Sequence, residues 1–240
     1  MLTPDGERLL GAVQQGLELI AAAAAQVRED TFSSSLSVSA PPAFASQWLV
    51  PRLPRFLDLF PDLTYSLIPT SGNSLKDLPR VDASIVFNSA QFPGMRVEAL
   101  TQLDMFPVCA PNSVLGTAPM APEDLRRVTL IHEDQGEIWA RWFAAVGADQ
   151  TEPRRNIFVS GTQAALALAV AGVGYAIDDG IMGAKALADR SLVRPFGQRT
   201  FAFGSYSIVT PPLERVTPAA LAFTDWVRQE ISETIRVRSS

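Results

Sequence analysis

His132 is the only histidine in the chain, and Glu133 and Asp134 follow it directly. An imidazole beside a carboxylate is the pairing from which a general base is built. The same residue, placed after the apolar run 128–131, also fits a plain role at a strand end. GxSxG, P-loop and HExxH patterns are all absent, so no nucleophile or metal pair accompanies it. Asp178 and Asp179 are two adjacent like charges. They read either as a solvated turn or helix cap, or as a pair facing a ligand. Cys109, between Val108 and Ala110, reads as a small buried hydrophobe. One cysteine and one histidine, without carboxylates at a recognisable spacing, compose no zinc site. Gly172-Val173-Gly174 lacks a third glycine and follows a helix, so it is no dinucleotide loop. Trp139 and Trp142 are read as helix core, with a stacking platform as the alternative.

The elements that must position these residues follow from the pattern of apolar residues. The chain has 240 residues, of which 47% are hydrophobic and 19% charged, so it can bury a full core and is not disordered. Net charge is −5, and the 18 arginines are scattered, which leaves no nucleic-acid footprint. A lone cysteine excludes an internal disulfide and suits a reducing compartment. No apolar run reaches the ~20 residues of a membrane span, and the start MLTPDGERLL lacks a basic leader. The expected location is therefore the cytoplasm, with no membrane partner.

Residues 6–28 predict a helix with an a/d seam at Leu10, Val13, Leu17, Ile20, Ala24 and Val27. It packs on its own domain or on a second copy. A polar hinge over 29–33 follows. Strands are predicted over 36–39, 64–68, 81–87, 95–100, 105–109, 128–131, 157–159, 173–177 and 201–209. An apolar helix carrying Trp48, Leu49, Leu53, Phe56, Leu57 and Phe60 separates the first two strands. Further helices are predicted over 137–146, over 162–171 with both faces buried, and over 221–235. Alternating strands and helices imply an α/β fold.

In such folds ligands settle at the carboxyl ends of strands. Those ends are 39–46, 88–89, 161–162 and 178–179. Pro41 and Pro42 stop the first strand abruptly, because proline has no N–H for the ladder. The first turn at Phe44, Ala45 and Ser46 can then offer its backbone amides to a small molecule.

Six segments carry a family likeness. They are SVSAPPAFASQWLVPRLPRFLDLFPDL, VDASIVF, MFPVCAP, LIH with the two tryptophans behind it, AVAGVGYAI and LVRPF. In this order, over about residues 30–230, they resemble the LysR-type transcriptional regulators, nearest the branch of glycine-cleavage activators and β-lactamase regulators. LTPDGERLL resembles the segment where that family's winged helix-turn-helix passes into a linker helix. The resemblance implies a linker and dimerisation helix over 1–30, with the DNA-binding domain before it missing. It implies two Rossmann-like subdomains joined by crossover strands, like type 2 periplasmic binding proteins. The first would be 33–107 plus 211–240, the second 108–210, with crossovers at 105–109 and 206–210.

The same resemblance implies an effector cleft. Pro42, Ala43 and Phe44 match the loop that opens the first helix, Gly161 and Thr162 the opposing helix start, and Tyr206 an aromatic on a crossover strand. Asn88 and Asp178 complete the expected lining from the strand ends. This sequence departs from the family where Ile-Arg-Tyr-Gly is common and Ile85-Val86-Phe87-Asn88 stands instead. It departs again at Asp178 and Asp179, where apolar residues or proline are usual, and at Ala43, which lacks a hydroxyl. A cleft without the arginine and with added carboxylates favours a neutral, zwitterionic or cationic effector.

The resemblance thus implies a non-enzymatic sensor without cofactor or metal. It would form a homodimer or homotetramer, and reach DNA only through the missing domain. A solute-binding protein of the same fold is the alternative; an enzyme would have to rest on His132 and Glu133.

Overall fold

The computed structural model describes residues 35–71, 78–88, 92–115, 120–150 and 152–238. The helix expected over 6–28 and the hinge over 29–33 lie outside the described residues.

β1 (Ser35–Ala40) runs parallel to β2 (Thr64–Pro69), in register from Ser35 opposite Thr64 to Ala40 opposite Pro69. Their connection is helical but not one helix. A wide π-type segment, α1 (Phe44–Leu49), gives way to α2 (Leu53–Leu59). The break falls at Pro51, whose ring and missing N–H interrupt the helical ladder, and Pro54 then sits in the first turn of α2, where it is tolerated. Both pieces still turn one apolar face inward: Trp48, Leu49 and Phe56 are fully buried.

β3 (Ala83–Phe87) lies parallel to β1 and antiparallel to β8 (Phe201–Thr210). β8 pairs in turn with β4 (Arg96–Val108). Two strands were expected over the β4 region. One continuous strand is found, with irregular register between Ala99 and Thr101 and between Gln102 and Asp104. The polar run Thr101-Gln102-Leu103-Asp104 imitates a loop, but Leu103 is buried while Gln102 and Asp104 face out, so the pleat continues through it.

The far end of β4 pairs with β7 (Ala176–Asp178), Phe106 standing opposite Asp178. A bridge from Tyr175 to Leu130 links β7 to β5 (Thr129–His132), which runs parallel to β6 (Arg155–Phe158). β4 and β8 therefore serve both lobes: they lie side by side in one six-stranded sheet, ordered β2-β1-β3-β8-β4-β7, that runs from one lobe into the other. The structure is two α/β lobes joined by these crossover strands.

α3 (Glu137–Ala145) places Trp139, Trp142 and Phe143 in a core of the second lobe, where the Trp142 ring lies 4.8 Å from Phe196. Both tryptophans are thus core. α4 (Thr162–Val170) is not buried on both faces as expected. It buries Ala165, Leu166 and Ala169 and exposes Gln163, Ala167 and Val170. Its alanines carry so little apolar surface that either side of it tolerates water. A short helix, α5 (Ala184–Ala188), was not anticipated. α6 (Pro218–Arg238) returns to the first lobe, where Phe223 and Trp226 meet Phe56 at 5.4 and 5.1 Å. Trp48 Nε1 donates to Thr234 Oγ1 of α6 at 3.1 Å. No helix among the described residues is long and apolar enough to cross a membrane.

Candidate functional site

The strand ends of the two lobes meet at Tyr206. Its ring is 6% exposed and lies 4.9 Å from that of Phe44, the first residue of α1, and 5.6 Å from that of Phe87, the last of β3. Phe44 is fully buried and also packs on Trp48 at 4.8 Å. Burial of that side chain stabilises this junction by roughly 1.5–3 kcal/mol. On the other side, Tyr206 donates its hydroxyl to Asp179 Oδ2 at 3.3 Å, a long bond. One side chain therefore touches α1, β3 and the turn after β7.

That turn is built by its two aspartates. Asp178 Oδ2 accepts from Gly180 N at 3.1 Å and its Oδ1 from Gly183 N at 3.0 Å. Asp179 Oδ1 accepts from Ile181 N at 2.8 Å and Met182 N at 2.9 Å. A Cβ at Gly183 would lie 2.2 Å from Asp178 Oδ2, so any other residue there must push that carboxyl aside. Asp178 is fully buried, and burial, reinforced by the charge of Asp179, pushes its carboxyl up to about 8. Burial and then Asp179 raise the Tyr206 hydroxyl well above its ordinary value.

Glu133, just past β5, joins the same group. Burial raises its carboxyl, a hydrogen bond with Thr162 opposes that, and Asp179 and Asp134 raise it further. Its Oε2 is buried without a hydrogen-bond partner. Thr162, the first residue of α4, thereby contacts the end of β5. Ser46 Oγ, in α1, donates to Pro42 O at 2.9 Å and approaches Gln163 Oε1 at 3.4 Å. The start of α1 and the start of α4 therefore touch across the gap between the lobes. Asn88 is exposed, with φ 49°, and exchanges hydrogen bonds with Ser205 at 3.0 Å in each direction. Gly204, φ 79°, makes room for it: a Cβ there would stand 2.6 Å from Asn88 Oδ1.

Phe44, Tyr206 and the aspartate turn are thus in direct contact, and Asn88 is pinned beside Tyr206. Ala43 is half-buried, whereas Pro42 and Gly161 stand at the open rim with Thr162 behind. Glu133 and Gln163 were not among the expected lining, and Ser46 was expected for its backbone amide rather than its hydroxyl. Glu133 follows β5 directly as Asp179 follows β7, so the strand-end rule, applied evenly, would have included it. A void of about 10 Å³ lies behind β5, lined by His132, Glu133, Ala165 and Ile177.

His132 and Cys109, the other reactive side chains singled out in the sequence, sit in packed surroundings. The amide oxygen Asn156 Oδ1 accepts from His132 Nε2 at 2.8 Å, and Phe158 stacks on the imidazole at 4.7 Å. Burial pushes the Cys109 thiol up to about 11, away from thiolate chemistry. Among the described residues no group of three or more metal-ligating side chains is assembled.

Comparison with known proteins shows the family of the chain and of its fold. A family model described as "LysR substrate binding domain" matches residues 29–232. The AhcY transcriptional activator HvrB of Rhodobacter capsulatus is 33% identical over 233 residues, 95% of this chain and 77% of that protein. The glycine cleavage system transcriptional activator of Escherichia coli is 25% identical over 228 residues, 95% of this chain and 75% of its own. The effector domain of the transcriptional regulator AmpR of Pseudomonas aeruginosa superimposes with a TM-score of 0.72 at 28% identity. That alignment covers 86% of this chain and all of the other.

Proposed function

The chain belongs to the LysR substrate binding domain family, and we propose that it senses a small molecule held at the Tyr206 junction. Its relatives are transcription regulators, not enzymes, and it is an effector-binding domain of that kind. The lobes, taken as 33–107 plus 211–240 and 108–210, part at the gap between α1 and α4. An effector enters between Pro42, Ala43 and Phe44 on one side and Gly161 and Thr162 on the other. It meets Tyr206, with Asn88 beside it and the Asp178–Asp179 turn at its base. The one observation that carries this reading is Tyr206 touching Phe44 and Asp179, because a ligand that separates those contacts changes the angle between lobes.

In the regulator, that change repositions a DNA-binding domain; the relative AmpR of Pseudomonas aeruginosa is named an HTH-type transcriptional activator. The chain's own net charge of −5 makes the lobes a poor phosphate-contacting surface. Assembly as a homodimer or tetramer transmits the change between copies.

The chemistry of the site selects the effector class. Glu133 and Asp179 bring carboxylates to the gap, so a neutral, zwitterionic or cationic molecule is preferred over a dianion. Calorimetric titration of amino acids and diamines, against dicarboxylic acids of matched length, tests this. Amine or zwitterion binding that weakens about tenfold in Glu133→Gln and is abolished by Ala43→Trp, which blocks the mouth, supports the reading. A dicarboxylate that binds more tightly than the amines and is displaced by the same Ala43→Trp overturns it.

A further inference from the structure

On the opposite side of α1 the lobes stand apart. A cavity of about 650 Å³ opens there between α1–α2 and the last turns of α6 from the first lobe, and α5 with residues 194–198 from the second. Its volume falls within the usual range of small-molecule sites. Four cations line it, Arg52, Arg55, Lys185 and Arg194, against two carboxylates, Glu230 and Glu233. In a chain of net charge −5 this excess of positive charge is local.

Arg52 and Arg55 converge on one acceptor. Arg52 Nε stands 3.6 Å from Glu230 Oε2, and Arg55 Nη1 3.3 Å from Glu230 Oε1. Arg52 is fixed further. Its Nη1 donates to Trp48 O at 3.0 Å, and its guanidinium lies 4.8 Å over the Trp48 ring. Arg55 instead leaves 70% of its side chain to solvent. Across the opening, Lys185 is 82% exposed and paired with Asp189 at 2.9 Å, while the Arg194 guanidinium carbon stands over the Phe106 ring, 3.9 Å from its centre. Two guanidiniums sharing a single carboxylate leave positive charge uncompensated, and planar guanidinium forks suit carboxylate and phosphate oxygens.

We propose that this cavity is a second ligand site, for a small anion carrying carboxylate or phosphate groups that bridges Arg55 in one lobe to Lys185 in the other. Because its walls belong to different lobes, occupancy fixes the angle that the Tyr206 junction also reads. The two sites are then coupled, and coupling is reciprocal.

Titration of the whole chain with inorganic pyrophosphate and with glutarate tests the proposal and separates the phosphate from the carboxylate source. The expected result is one equivalent of at least one anion bound, weakened about tenfold by Arg55→Ala and again by Lys185→Ala, and retained in Ala43→Trp. Retention in Ala43→Trp separates this site from the effector gap. The proposal is overturned if neither anion binds, or if the double variant binds as the parent does.

Discussion

On one face of the junction between the lobes, Phe44, Tyr206 and Asp179 touch, ringed by carboxylates. On the other, Arg52 and Arg55 look across a 650 Å³ opening towards Lys185. The same helix, α1, and the turn that follows it separate the two. Its start carries the closed acidic contact; Gln47 and Pro51 edge the open basic cavity. The difference shows how a narrow helical segment between two rigid bodies presents opposite chemistry on its two sides. Packing holds one face, while long charged side chains that reach solvent line the other.

The sharpest way to break the comparison is Phe44→Ala. Removing a fully buried ring that contacts both Trp48 and Tyr206 should cost about 3–5 kcal/mol in urea unfolding. A loss below 1 kcal/mol would mean that the closed face is not held by packing. Next comes Gly183→Ala. Its Cβ would displace an Asp178 carboxylate held by two backbone amides, at a cost on the order of 1–3 kcal/mol. Combining it with Asp178→Ala should give less than the sum of the two losses, because the clash is gone.

A pH series sharpens the electrostatic half. Folded Asp178 keeps its proton up to about pH 8, whereas the unfolded chain releases it near the ordinary 3.8. The raised value makes its contribution full below that lower value and lost as pH rises towards 8. Unfolding free energies measured from pH 4 to 8 should fall, and Asp178→Asn should flatten that slope while losing about 1 kcal/mol overall, because the Asn amide nitrogen cannot accept from a backbone N–H. The smallest effect belongs to the open face: Arg55→Ala should change stability by no more than about 0.5 kcal/mol. A larger loss would make that cavity wall part of the frame rather than a surface held ready for a ligand.

The closed face was legible in sequence and the open one was not. Strand ends are marked by abrupt residues: the prolines after β1, Asn88 after β3, Gly161 before α4 and the paired aspartates after β7. Tyr206 sits inside a strand rather than at its end, and only the family resemblance pointed to it. The basic cavity has no such mark. Arg52, just before α2, and Glu230, within α6, are 178 positions apart, and single charges at such places look like ordinary solvated residues; only tertiary packing sets them face to face. α5 escaped notice because five residues of AKALA make too short a period to see. β4 read as two strands because a polar patch in a half-exposed strand resembles a loop, though the ladder continues past it.

The β4–β8 ladder has one more consequence. Its antiparallel pairs, from Arg96 opposite Thr210 to Met105 opposite Phe201, span both lobes, and its two irregularities fall in the middle. A ribbon of this kind resists stretching and in-plane shear but twists readily where a bulge frees a residue from its ladder partner. Rotation of one lobe about the ribbon's long axis is therefore the softest deformation available to the molecule, with a pivot beside Thr101 and Gln102.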